Sequence, residues 1–400
     1  MTPEARHGAL SPYLATATLA RSATESAGPA LLVVAIATLG DATTASYLVA
    51  SLTASAAIGG PVVGALLDRS SRPRRSFAVA MAAMGLGLAA VALTIGHLPL
   101  AIVMSLAVCA GFGYPALTGA WSAQLPRLVP ESRLTHAYST DAATYSLAAV
   151  VAPPVAVAML ALSDTAPLWV PVALLAVALV ALRRVPLAAV APHAHATSLT
   201  QDLRAGLGAI VGILGLRRTV IITTVGFAGQ ASFFIASPVL AQSIAGSLGF
   251  TGVILGAFAA GGVLTALYFT RRPVRRPDRA IIVSTILSAV MLTAVGFAQQ
   301  PWTLLLAAFA MGATEPPLMA AMFQVRTRES PVRVQSQVFT TSASLRMTAY
   351  AIAAAVCGAL LAVGVGAVIV FGVALHAIAV VLGLLLGPRL PSPQHWLSAE

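Results

Sequence analysis

A chain of 400 residues with 58% hydrophobic and only 9% charged side chains carries too much apolar surface for a water-soluble domain, where about a quarter of residues are charged. The formal net charge of +11 comes from 23 basic residues, all of them arginine, set in short clusters between long apolar stretches. That spacing excludes a nucleic-acid-binding surface, which gathers its basic residues into one patch, and it matches the loops of an all-α polytopic membrane protein.

At the N-terminus, MTPEARHGALSPY lacks the basic start, short apolar core and small-residue cleavage site of a secretory signal, so the first apolar segment is expected to remain as a helix. A bilayer crossing needs about 20 apolar residues. Twelve transmembrane helices follow on that rule: 16–39, 46–67, 76–96, 99–122, 138–162 and 167–183, then 218–243, 250–270, 280–299, 302–324, 339–363 and 366–388. Arg69, Arg72, Arg74 and Arg75 follow span 2, Arg127 and Arg133 follow span 4, and Arg183 and Arg184 follow span 6. In the second half Arg271, Arg272, Arg275, Arg276 and Arg279 follow span 8, and Arg326, Arg328 and Arg333 follow span 10. The intervening loops at 40–45, 96–99, 163–166 and 298–301 hold no arginine. Positive charge stays on the cytoplasmic side of short loops, so both termini are expected in the cytoplasm, with the chain in a bacterial inner (plasma) membrane.

Residues 186–217 differ from what surrounds them. LAAVAPHAHATS reads as a loop, and the segment from Ser198 reads as a short amphipathic helix, giving a linker between an N-terminal bundle at 1–185 and a C-terminal bundle at 218–400. His193 and His195 stand there without acid or cysteine partners and are read as solvated. Cys109 and Cys357, far apart within apolar segments, are read as small packing residues rather than as a redox or metal pair. No metal or cofactor is expected.

The halves repeat. A shift of 202 residues lays IGGPVVGALLDR at 58–69 over AGGVLTALYFTR at 260–271, and a shift of 201 lays GFGYPAL at 111–117 over GATEPPL at 312–318 and YSTDA at 138–142 over FTTSA at 339–343. Two pseudo-symmetric six-helix bundles are therefore expected. No HExxH, GxSxG, paired-aspartate or Gly-rich phosphate loop occurs, which argues against an enzyme and against direct use of ATP.

GALLDRSSRPRR at 64–75 resembles the loop between spans 2 and 3 of the major facilitator superfamily, usually written G-x-L-a-D-r-x-G-r-k. Gly64, Leu66, Asp68, Arg69 and Arg72 match it, and Ser71 replaces the second glycine. In that family the acid touches the start of span 11 and latches the halves together, so the resemblance implies a gating role for Gly64, Asp68, Arg69 and Arg72. LVPESRLTHA at 128–137 and DLRAGLGAIVGILGLRR at 202–218 are similar to segments of drug and siderophore exporters of the macrolide-efflux type. The span 5 signature of exporters is reduced here to Ala152-Pro153-Pro154, and Ala107 stands where many proton-coupled members carry a span 4 arginine. The resemblance implies a monomeric secondary transporter that exports a small, mostly apolar molecule against protons, with proton-coupled uptake as the alternative.

An ionisable side chain inside a span costs about 2.5 to 3.5 kcal/mol on insertion scales and marks a functional candidate. Glu25, nine residues into span 1, lies about 13 Å deep at roughly 1.5 Å per residue. It is read as a proton or cation acceptor, with a pair to Arg21 one turn earlier as the structural alternative. Glu315 in span 10 and Arg346 in span 11 lie at comparable depth, could form a buried pair, and are further coupling candidates. Asp141 stands one turn inside span 5, where a gate, a cap or interfacial exposure is expected, and His376 in span 12 is read as a packed residue. Tyr114-Pro115 and Glu315-Pro316-Pro317 are repeat mates whose prolines free backbone carbonyls. Tyr114, Tyr145, Phe233 and Pro316 are the candidates for cavity wall.

Overall fold

The computed structural model of the chain describes residues 10–386 apart from 69, 71, 123, 131–132, 188–198, 273 and 332–333; of residues 56–68, 119–120, 126–127, 134–136, 138–139, 142–143, 146, 199–200, 202–203, 270–271 and 336 it gives the backbone alone. The described chain is helical, and ten helices among the described residues are long and apolar enough to cross a membrane. They fill the positions expected for every span except 2 and 5. Those two are occupied by helices Ala42–Asp68 and Leu134–Ala158, of 27 and 25 residues, so a helix stands at each of the twelve expected places. In a bilayer each backbone N–H and C=O must find its partner within the segment, and the helix satisfies that requirement.

Helix pairing follows the repeat. Within the first half span 1 packs on spans 5 and 6, span 2 on span 4, and span 3 on span 6. Their mates pair in the same way in the second half: span 7 on spans 11 and 12, span 8 on span 10, and span 9 on span 12. Across the halves span 2 runs against span 11 and span 5 against span 8. The turns at the arginine-poor end are tight and close on left-handed glycines, Gly40, Gly96, Gly246 and Gly364, with φ between 67° and 136°. At the same end Asp41 accepts hydrogen bonds from the Thr43 and Thr44 N–H groups at 3.0 and 2.8 Å and starts span 2. At the opposite end Arg74 donates to the Val185 carbonyl at 2.8 Å and ties the span 2–3 loop to the foot of span 6.

Spans 4 and 10, expected to be continuous, are broken at equivalent places, and span 4 is interrupted a second time at Thr118. Span 4 stops at Gly111 and restarts at Tyr114, and span 10 stops at Gly312 and restarts at Glu315. The cause is local. Pro115 and Pro316 have no N–H for the carbonyl four residues back, at Gly111 and Gly312, and their rings crowd it. Thr314 turns back at the break, donating both its N–H and its hydroxyl to the Met311 carbonyl, at 3.1 and 2.8 Å. The glycines themselves let neighbouring backbones touch: a Cβ at Gly111 would lie 1.9 Å from the Leu52 carbonyl oxygen of span 2, and one at Gly312 would lie 1.8 Å from that of Phe258 in span 8. Span 10 also runs further than expected, to Glu329, which takes Arg326 out of the loop and into the helix.

The expected linker helix is present at Leu199–Gly212, and its Ile210 packs with Leu216, Val220 and Val338 at the feet of spans 7 and 11. His193 and His195 lie outside the described residues, as does Arg69. Gly64 and Asp68 belong to the stretch given as backbone, within the last turns of span 2, and Arg72 is exposed just before span 3. Cys357 is a packed residue within 3.4 Å of the Ser232 hydroxyl, but Cys109 is exposed on the outer face of span 4, contrary to its reading as a packing residue.

Candidate functional site

The polar groups inside the first half converge on Arg21. This guanidinium is fully buried and donates from Nη1 to Asp141 Oδ1 at 2.8 Å and from Nη2 to Asp141 Oδ2 at 3.0 Å. The same arginine reaches the Asp141 carbonyl at 2.8 Å, the Ser122 hydroxyl at 2.9 Å and the hydroxyl of Thr144. Ser122 in turn donates to Asp141 Oδ2 at 2.7 Å, and the Tyr13 hydroxyl donates to Oδ1 at 2.9 Å. Tyr145 closes the group from one side, its ring centroid 3.7 Å from the guanidinium carbon. Tyr13 stacks on Trp121 at 5.5 Å, so an aromatic wall seals it from lipid. A buried ion pair offsets its desolvation only when the groups around it are also hydrogen-bonded; here a bidentate contact and three hydroxyls engage both carboxylate oxygens and both terminal nitrogens, and only Arg21 Nε is left without a partner. Asp141 is thus neither interfacial nor a helix cap. It is the counter-ion of Arg21, with side-chain exposures of 0% and 5% for the pair.

This corrects the second reading of Glu25. Arg21 pairs with Asp141 and not with Glu25; among the described residues Glu25 forms no ion pair and accepts no hydrogen bond, although the charge of Arg21 still reaches it. Its surroundings are phenolic. Tyr114 at the restart of span 4, Tyr145 on span 5 and Tyr350 on span 11 all lie within electrostatic reach of the carboxylate.

On the other side of the seam Phe227 occupies the repeat position of Glu25. Its ring lies 4.3 Å from the guanidinium carbon of Arg346 and 5.2 Å from the ring of Tyr350. Arg346 reaches the sulfurs of Met319 and Met322 at 3.7 and 3.6 Å, while its Nε has no partner. The expected pair with Glu315 is not made: both side chains line one interior cavity, but no ion pair within 4.0 Å joins them. The cavity measures about 10 Å³ and is also walled by Thr223, Gln230, Ser288 and His376. His376 is packed as expected, with Nδ1 2.8 Å from the Gly372 carbonyl; because a carbonyl only accepts, Nδ1 carries the proton. No group of three His, Cys, Asp or Glu side chains suited to a metal occurs among the described residues.

A sequence model of the Major Facilitator Superfamily matches residues 13–223, more than half of the chain. The chain belongs to the major facilitator superfamily. No curated protein matches the sequence. Solved structures that it resembles include a mutant of the nucleoside transporter NupG, at 13% identity and a TM-score of 0.77 over 95% of this chain and all of that one. A peptide transporter POT in complex with sulfate matches at 15% identity and 0.70, covering 94% of this chain and 93% of that one. The human organic anion transporter MFSD10 matches at 14% identity and 0.67, covering 96% and 100%. At such identities the likeness is one of fold.

Within this major facilitator chain the sequence-derived candidates divide into two sets. Tyr145 packs on Arg21 in the first half, and Glu315 lines the cavity with Arg346 in the second. Pro316 is half-buried in the first turn of the restarted span 10. Phe233 does not belong with them: it is fully buried between Phe234 and Phe258, 5.4 and 5.1 Å away by centroids, and is absent from the cavity wall. Tyr13, Tyr350 and Arg326 were not singled out. For Arg326 the misleading signal was its place among loop arginines, for the side chain is 2% exposed inside span 10.

Proposed function

We propose that the protein is a secondary active transporter with twelve spans in two six-helix halves, which exports a small, mostly apolar molecule in exchange for protons by alternating access. The observation that carries this reading is the isolation of Glu25: its one cation neighbour on span 1 is already neutralised by Asp141, leaving an acid near mid-depth with no ion pair among the described residues. Such an acid costs several kcal/mol as an isolated charge, so it is set to accept a proton or a cationic substrate, and both cannot occupy it together. The similar structures are named as transporters of nucleosides, peptides and organic anions, which supports a small-molecule cargo. Their cargoes differ, so the apolar character is argued from the aromatic and methionine side chains around the seam. The coupling candidates Glu315 and Arg346 stand second to Glu25, because each has the other's charge nearby.

The test is flux in proteoliposomes acidified inside, with ethidium as the probe added outside. Exchange drives ethidium inward as protons leave, and Glu25→Gln abolishes that accumulation. Ethidium preloaded into such vesicles and carried outward with the protons would instead establish proton-coupled uptake into the cell, and undiminished accumulation in the variant would remove Glu25 from the coupling.

A further inference from the structure

Among the described residues, the second half holds more buried positive charge than its acids neutralise. Arg326 is 2% exposed, makes one hydrogen bond, from Nη2 to the Thr223 hydroxyl at 3.4 Å, and leaves Nε without a partner. The acids near its end of the bundle are engaged elsewhere, since Asp278 and Glu329 both pair with Arg328 at 3.1 and 2.8 Å. Arg346 has only an aromatic face and two thioethers in contact, with its Nε also unpartnered. The charges of the two arginines reach each other, and Glu315 is the acid whose charge reaches Arg346. Arginine does not shed its proton in proteins, so two cations face one acid and a single positive charge is left over. A buried charge without a counter-ion costs several kcal/mol, and neither a phenyl ring nor a methionine sulfur offsets that much.

The same residues frame a space. The interior cavity of about 10 Å³ is lined by Arg346 and Glu315, by Thr223, to which Arg326 donates from behind the wall, and by Gln230, Ser288 and His376. A volume of that order holds about one water-sized group. We propose that this cavity is an anion site, where one small anionic group is held between Arg346 and the Arg326–Thr223 pair. The group is either a free halide or the carboxylate head of a transported molecule. The site stands whichever way cargo moves, and it does not involve Glu25.

Thermal unfolding of the purified full-length protein in detergent tests it, with sodium gluconate replaced at constant ionic strength by sodium chloride or by sodium benzoate. Gluconate serves as the reference, because the hydroxylated chain behind its carboxylate is not matched by the Phe227, Leu318, Met319 and Met322 walls beside Arg346. A ligand that binds only the folded state raises the unfolding midpoint saturably, and the wild type is expected to show this with at least one of the two anions. Saturation by chloride marks a free inorganic anion; saturation by benzoate alone marks the head of an organic one. Arg326→Lys and Arg346→Lys should keep the response. Arg326→Gln and Arg346→Gln should weaken the half-saturating concentration by about tenfold or more, as expected for losing one charge-assisted hydrogen bond. Arg346→Met, which suits the methionine surroundings, replaces the glutamine variant should that one fail to fold. A flat response to both anions, or an unchanged response in the neutral variants, overturns the site while leaving the flux test of Glu25 untouched.

Discussion

Arg21 of span 1 gives both terminal nitrogens to the carboxylate of Asp141 on span 5, and Glu25, one turn further along the same helix, is left with no cation at ion-pair distance. Two acids of one half thereby take different parts. The first is locked with its charge into the packing of spans 1, 4 and 5. The second forms no ion pair among the described residues, because the arginine one turn away is already bound.

Breaking that lock should be costly. Asp141→Ala leaves the fully buried guanidinium of Arg21 without its counter-ion, a loss of about 3 to 5 kcal/mol for an orphaned partner of a buried pair. The unfolding midpoint in detergent should fall steeply. The double variant Arg21→Met with Asp141→Leu should recover most of the loss, since apolar replacement of both partners is often neutral. If the two single losses simply add in the double variant, the pair is not the unit described.

The architecture was legible in the sequence far more than the site was. Span positions, the linker helix and the repeat follow from hydropathy, arginine spacing and self-similarity, which are local signals. The matched breaks at Gly111–Tyr114 and Gly312–Glu315 were half legible, because Pro115 and Pro316 were noted as repeat mates without the glycines that stop each helix. Partner choice was hidden. Arg21 and Asp141 lie 120 residues apart, and nothing local distinguishes that pairing from the one to Glu25. Arg326 was masked by its setting, since an arginine in the last turn of a span reads as an ordinary cytoplasmic anchor whether it faces water or the bundle.

The glycine contacts at the two breaks give a second expectation. Gly111→Ala and Gly312→Ala each drive a methyl group to within 2 Å of a neighbouring carbonyl oxygen, so the helices must part, at a cost of about 1 to 3 kcal/mol or more. Gly28→Ala on span 1 meets nothing within 4 Å and is the control, expected to hold or slightly gain stability. Equal midpoints for all three would contradict the close packing of spans 2 with 4 and 8 with 10.

Orientation can be read by labelling once Cys109, which is exposed on span 4, has been changed to alanine. Single cysteines at Asp164 and Gln299, both exposed at the arginine-poor end, should react with a membrane-impermeant maleimide on intact cells. Cysteines at Arg75 and Pro331, exposed at the arginine-rich end, should react only after permeabilisation. Labelling of Arg75→Cys from outside would invert the topology.

The last expectation separates coupling from transport. Glu25→Gln keeps the shape and hydrogen-bonding capacity of the side chain but holds it in one charge state, so the step in which a proton displaces cargo disappears while the path remains. With one-for-one exchange and a gradient of one pH unit, accumulation is limited to about tenfold, since one unit is worth about 1.4 kcal/mol. The wild type should approach that ratio for ethidium in acid-loaded vesicles, and Glu25→Gln should stay near equal concentrations on both sides. Exchange of labelled for unlabelled ethidium at equal pH should continue in the variant, because no net proton movement is needed. Tyr114→Phe removes a hydroxyl within reach of both Glu25 and Arg346 but no charge, so it should slow both assays together without changing the final ratio. An uncoupled ratio in Tyr114→Phe with normal accumulation in Glu25→Gln would move the proton from span 1 to the other half of the seam.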